Sequence, residues 1–189
     1  MNPQVQQAVL KLYEDLVQRF RQEQQSLPFS RIQEDWDSPC IDRRDADAGL
    51  TYWQPVPRQD EAPLDEVARG LEVAIHPDVL SYYGCLWADG IRVDSPWGEI
   101  GLIQVWNPED LEQLKENQLG HAFMRLKKRL PLSFFIGVQR DDHIISLDNE
   151  RGVVLRERLG RRADQVIANS LAEFLGQLTP NLKPYDEFQ

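Results

Sequence analysis

The strand-like segments of this chain come in clusters instead of alternating one by one with helices, and that order restricts its fold more than any other feature. Val5, Ala8, Val9, Leu12, Leu16, Val17 and Phe20 recur at steps of three and four, which predicts a helix over residues 3–25 with Pro3 in its first turn. An irregular stretch is expected from Ser26 to about Gly49. Leu50–Gln54 is β-branched and aromatic and reads as a strand, stopped by Pro55 and Pro57. Pro63 opens a second helix through about Val73, and a short third one runs from Pro77 to Tyr83. Cys85–Val93 and Glu99–Trp106 then read as a hairpin around the turn-rich Asp94-Ser95-Pro96-Trp97-Gly98. Asn107-Pro108-Glu109-Asp110 is a helix start: an Asn cap, Pro in the first turn, and acids at the positive end of the dipole. That helix is expected to reach Met124 or Lys127. Ser133–Val138, His143–Leu147 and Val153–Arg158 are three further strands, and Ala163–Leu178 is predicted as a closing helix with Val166, Ile167, Ser170, Leu171, Phe174 and Leu175 inward.

Adjacent strands joined by short turns pair antiparallel, whereas a parallel sheet needs a crossover between successive strands. The fold class is therefore α+β, a mainly antiparallel sheet packed by helices. A chain of 189 residues is long enough for one real core, so a single domain over residues 1–182 is expected, with a flexible polar tail over 183–189.

Charge is distributed unevenly. Between Glu34 and Asp94 fourteen Asp and Glu face five Arg and no Lys, so this third holds almost all of the net charge of −10. Such a surplus repels nucleic acid and anionic lipid headgroups and attracts a cationic partner. The basic runs Arg125–Arg129 and Arg151–Arg162 are interrupted by apolar residues or acids and read as solvated faces. Neither nucleic-acid binding nor direct lipid insertion is expected. Two cysteines without a CxxC spacing fit a reducing compartment, and the N-terminal segment lacks the pattern of a secretory signal. The apolar clusters are too short to span a bilayer, so the expected location is cytoplasmic.

No linear motif for chemistry stands out. GxGxxG, GxxxxGK[ST], HExxH and GxSxG are absent, and His76, His121 and His143 lie at wide spacings. No catalytic residue, metal or cofactor is expected. His76-Pro77-Asp78 matches the tripeptide of co-chaperone J-domains, but the helix before it is acidic and the segment after it aromatic, so it reads as a helix boundary. Aromatic residues gather in and beside the acidic third: Tyr52, Trp53, Tyr82, Tyr83, Trp87, Trp97 and Trp106. Most are expected in the core. An aromatic wall with a carboxylate rim can also receive Lys and Arg side chains.

Several segments together resemble motifs of the Syd family of SecY-interacting proteins. They are Ser38-Pro39-Cys40-Ile41, Tyr52-Trp53-Gln54-Pro55, Leu102-Ile103-Gln104-Val105-Trp106, Glu116-Asn117-Gln118-Leu119-Gly120-His121, Arg129-Leu130-Pro131-Leu132, and Asn169-Ser170-Leu171-Ala172-Glu173-Phe174-Leu175. The resemblance implies an α+β fold of the SMI1/KNR4-like (SUKH) type and a binding module without enzymatic activity. It also implies contact of an acidic surface with the basic cytoplasmic loops of SecY, a loosely peripheral position on the inner membrane, and a role in surveillance of SecY or negative regulation of translocation. The segment after Pro180 is longer than the family pattern leads one to expect. A monomer is expected.

The acids nominated for that surface are Asp89, Asp94 and Glu99 around the predicted hairpin, then Glu61, Asp65 and Glu66 at the start of the Pro63 helix, with Glu112 and Glu116 beyond. Asp65 and Glu66 also have a helix-dipole explanation. Two rival classes are an immunity module that neutralises a toxin, and an enzyme whose carboxylate site is assembled in space.

Overall fold

The structure, a computed structural model, describes residues 1–187. Helix α1 (Pro3–Arg19) starts where Asn2 Oδ1 accepts from the Gln4 amide at 3.1 Å, and it ends in a π-helical turn over Phe20–Gln24. Its inward stripe of Val5, Val9, Leu12, Tyr13, Leu16 and Val17 is buried. A three-stranded sheet follows, with β3 (Leu50–Trp53) between β1 (Phe29–Arg31) and β2 (Ile41–Asp45), both antiparallel to it. The stretch expected to be irregular thus holds two strands. They were not legible because β2, Ile-Asp-Arg-Arg-Asp, is an edge strand with three exposed central residues and no apolar alternation.

Strands β4 (Val56–Pro57) and β5 (Leu86–Trp87) form a two-stranded ladder, with helices α2 (Asp65–Leu71) and α3 (Pro77–Gly84) between them in sequence. His76 caps α3 by accepting from the Asp78 amide at Nδ1, 3.2 Å, the helix-boundary role read from the sequence. The predicted strand Cys85–Val93 is broken: β6 begins at Ile91, after a segment in which Gly90 lies under the Tyr185 ring, so closely that a Cβ there would sit 2.6 Å from the ring. Strand β6 (Ile91–Ser95) makes a tight hairpin with β7 (Gly98–Leu102), where Gly98 has φ 96°, a conformation that favours glycine.

The largest sheet has seven strands in the order β11-β10-β9-β8-β7-β6-β12, all pairs antiparallel. Its remaining members are β8 (Ser133–Val138), β9 (His143–Asp148), β10 (Val154–Arg158), β11 (Ala163–Ala168) and β12 (Thr179–Pro180). Helix α4 (Pro108–Lys127) crosses between β7 and β8 in sequence and starts at the predicted cap, where Asn107 Oδ1 accepts from the Asp110 amide at 2.8 Å. The α+β class with a mainly antiparallel sheet is what the chain forms.

The predicted closing helix needs correction. Ala163–Ala168 is the strand β11, and only α5 (Leu171–Leu175) is helical. Val166 is exposed and Ser170 half-buried instead of both facing inward. The exposed edge of β10 supplies a ladder, and β-branched Val166 and Ile167 suit it. Ser170 then restarts the chain as a helix by accepting from the Glu173 amide, while Glu173 accepts from the Asn169 amide at 2.9 Å.

The core lies between the large sheet and helices α1, α3, α4 and α5, and continues under the small sheet. Trp53 and Trp106 are buried there and meet edge to face at 6.1 Å. One ion pair is wholly inside it. Glu157, 0% exposed, receives Arg125 Nη1 at 2.5 Å and the Ser133 and Ser146 hydroxyls at 2.8 and 2.7 Å. His121 Nε2 lies 3.1 Å from Ser133 Oγ, and burial together with the Arg125 charge lowers its pKa to about 4. Ser133 donates its hydroxyl hydrogen bond to Glu157, and all its neighbours are buried, so this cluster braces α4 against the sheet.

Candidate partner-binding site

Three segments far apart in sequence converge beside the start of α4. Trp106 precedes the cap, and its amide donates to Asp110 Oδ2 at 2.8 Å. The loop 36–40 is latched on: the Asn107 side-chain amide donates to Asp37 O at 2.7 Å, and Ser38 Oγ donates to Trp106 O at 2.6 Å while accepting from the Cys40 amide. Residues 181–186 return along the same side, where Asp186 Oδ2 accepts from the Arg31 amide at 3.1 Å. That bond ties part of the segment expected as a flexible tail to β1.

Between these walls opens a cavity of about 450 Å³. Asp89, Asp110 and Asp186 line it with Trp36, Trp106 and Tyr185, and Gln33, Gln104 and Gln113 add amide groups. Arg31 is the cation at its edge, with Nε 3.8 Å from Asp186. Asp89 is half-buried. Its carboxyl is pushed up from 3.8 to about 7 by burial and by the neighbouring charges of Asp186 and Asp110, against the stabilising amide of Gly90 and hydroxyl of Ser30. Burial also raises Asp110, opposed by the Trp106 amide, and burial with Asp89 and Asp110 nearby keeps the Tyr185 phenol protonated. Near neutral pH the cavity therefore holds crowded carboxylates short of cations. A guanidinium or ammonium entering it would neutralise them, and the aromatic walls would cover its stem.

The nominated acids divide into three places. Asp89 lines the cavity. Asp94 and Glu99 face each other across the β6–β7 ladder, and the Asn181 side-chain amide reaches both at 3.2 and 3.3 Å. Asp94 follows Asp89 by five residues, beyond the break before β6. Glu99 is also committed internally, since buried Arg92 donates to it through Nε and Nη2 at 2.9 and 2.6 Å. The third place is the surface shared by α2 and α4. Glu66 and Glu112 hold Lys115 between them at 3.3 and 2.7 Å, and Asp65 pairs with Arg69 at 2.6 Å. Glu61 and Glu116 are exposed.

Asp110 and Asp186 were missed for identifiable reasons. Asp110 carries a complete local explanation as a helix-start acid, and Asp186 lies in a polar segment with no periodicity. Neither thiol offers nucleophilic chemistry: burial raises Cys40 to about 11 and Cys85 to about 12. Among the described residues no group of three His, Cys, Asp or Glu is arranged to hold a metal ion, and no helix is long and apolar enough to cross a membrane.

The family model described as Syd protein (SUKH-2) matches residues 6–180. A Protein Syd of Hahella chejuensis is 49% identical over 149 residues, covering 79% of this chain and 78% of that protein. Those of Colwellia psychrerythraea and Aliivibrio salmonicida are 32% and 33% identical, covering 94% and 93% of this chain and 94% and 96% of theirs. Three of the six motifs that carried the sequence resemblance help to build the site: Ser38 latches to Trp106, Trp53 meets Trp106 edge to face, and Gln104 and Trp106 line the cavity. With the match spanning nearly the whole fold, this chain belongs to the Syd family.

Proposed function

We propose that this chain is a binding module without enzymatic activity that docks basic cytoplasmic loops of SecY, the channel subunit of the Sec translocase, on an acidic surface centred on the Asp89–Asp110–Asp186 cavity. Cytoplasmic loops of membrane proteins are enriched in Lys and Arg. A cavity of this volume with three carboxylates and three aromatic rings suits one or two such side chains as anchors, and this is the observation that carries the reading. The surrounding acids of the segment 34–94 steer the encounter, and the exposed Glu61, Glu66 and Glu116 belong to that steering field. An arriving cation ionises Asp89, so binding releases a proton near neutral pH.

On this reading the protein is a monomer held loosely at the cytoplasmic face of the inner membrane through SecY. It acts in surveillance of SecY or in restraint of translocation. The test is binding to SecY reconstituted in nanodiscs at rising ionic strength. Affinity should fall steeply toward a few tenths molar salt, where the screening length shrinks to a few ångströms. An affinity flat over that range would remove the electrostatic basis.

A further inference from the structure

The end of α4 opposite the acidic cavity carries a surface of different chemistry. From Asn117 to Arg140 the chain contains no Asp or Glu, yet besides the buried Arg125 it holds Lys127, Lys128 and Arg129, all exposed. The fold brings a second basic segment against it, the β10–β11 turn with Arg158, Arg161 and Arg162. Lys128 Nζ donates to Gly160 O at 3.0 Å, and a Cβ on Gly160 would lie 2.9 Å from Met124 Sδ. Three of the large apolar side chains that stand exposed among the described residues are here: Phe123 at 51%, Leu126 at 45% and Leu159 at 63%. Lys127 and Phe123 lie one turn apart on the same outward stripe of α4. Asp164, the nearest acid along β11, is engaged by His143 Nε2 at 2.7 Å.

We infer that this end of the molecule is a contact surface for anionic phospholipid, with Phe123, Leu126 and Leu159 entering the headgroup region and Lys127, Arg161 and Arg162 meeting phosphates. Exposed Phe and Leu interleaved with Lys and Arg is the pattern of an interfacial membrane contact, because lipid rewards both parts. Nucleic acid would reward the cations but gains nothing from exposed leucines. The net charge of −10 argues against lipid only if it acts on the whole surface. From Asp110 in the cavity to Lys127 the helix runs seventeen residues, about 26 Å at helical rise. That exceeds the screening length of about 8 Å at physiological salt roughly threefold, so the cavity acids barely weaken the field at the basic end. The inference stands apart from the SecY reading, since it uses none of the cavity residues.

The test is co-sedimentation of the full chain with vesicles of phosphatidylglycerol and phosphatidylcholine, against pure phosphatidylcholine, without SecY. Binding to the mixed vesicles is expected at low salt, with loss on raising salt and little binding to the neutral ones. Each Lys or Arg at an anionic surface is worth about fivefold in partitioning, so Lys127→Glu with Arg161→Glu and Arg162→Glu should lower it by 100-fold or more. Phe123→Ser with Leu159→Ser should weaken it with the charges intact and the melting temperature unchanged, as both side chains are exposed. Asp89→Asn should leave it unaffected. Failure of the wild-type chain to bind anionic vesicles would overturn the inference without using any variant. So would equal binding of all variants, or tighter binding to a DNA duplex than to the vesicles.

Discussion

The half-buried carboxyl of Asp89 gives the sharpest consequence for stability, because its proton is held only in the folded state. Folding raises it from 3.8 to about 7, chiefly by burial. The sign follows from linkage: the folded state binds this proton more tightly, so its contribution is fully present below the unfolded pKa and is lost as pH rises from about 4 through 7. A shift of that size corresponds to about 4 kcal/mol in full, at about 1.4 kcal/mol per pH unit. Water reaches part of the carboxyl, and we take roughly half, about 2 kcal/mol, as the expected effect. Asp89→Asn removes the charge while keeping an acceptor for the Gly90 amide at 2.8 Å. Urea unfolding of both proteins from pH 5 to pH 8 isolates this group, because the other titrations cancel in the difference. The Asn variant should gain about 1 kcal/mol relative to the wild type across that range, because part of the titration lies below pH 5. A difference independent of pH would mean that Asp89 is already ionised at pH 5, and the burial assigned to its carboxyl would be refuted.

Two further outcomes probe the frame around the site. Arg125→Met leaves Glu157 charged and buried with only two hydroxyl donors, and it should cost about 3–5 kcal/mol in chemical denaturation; Arg125→Met combined with Glu157→Leu should cost less than the single change. Glu99→Lys should lower the melting temperature by replacing the carboxylate that buried Arg92 donates to with a like charge, whereas Glu61→Lys on the exposed loop should not, which thermal melts of the two variants would show side by side.

Much of this fold is written in local chemistry. The caps at Asn2, His76 and Asn107 and the periodic apolar stripe of α1 each act within one or two helical turns, and the strands β8, β9 and β10 carry their β-branched and aromatic runs openly. What could not be read depends on distant partners. Val166-Ile167-Ala168 fits a helix or a strand equally well, and only the open edge of β10 decides. Charged β2 becomes a strand because β3 lies beside it. The proposed binding site divides in the same way. The local acidity and the aromatic density were visible, and Asp89 was nominated with the hairpin acids. Its grouping with Asp110 and Asp186, rather than with Asp94 and Glu99, is made by the break at Gly90 and by the return of residues 181–186 along the cavity wall.

That grouping is open to a direct comparison. The affinity for SecY in nanodiscs should be measured for a cavity variant, Asp89→Asn with Asp110→Asn and Asp186→Asn, and for a variant with equal charge change on the α2–α4 surface, Glu61→Gln with Glu66→Gln and Glu112→Gln. The cavity variant should lose binding by at least about 30-fold, as for charge-assisted anchors worth roughly 2 kcal/mol or more together, and the other should slow association only modestly. Equal losses in both would contradict it, since net charge alone would then explain the contact and the cavity would have no special part.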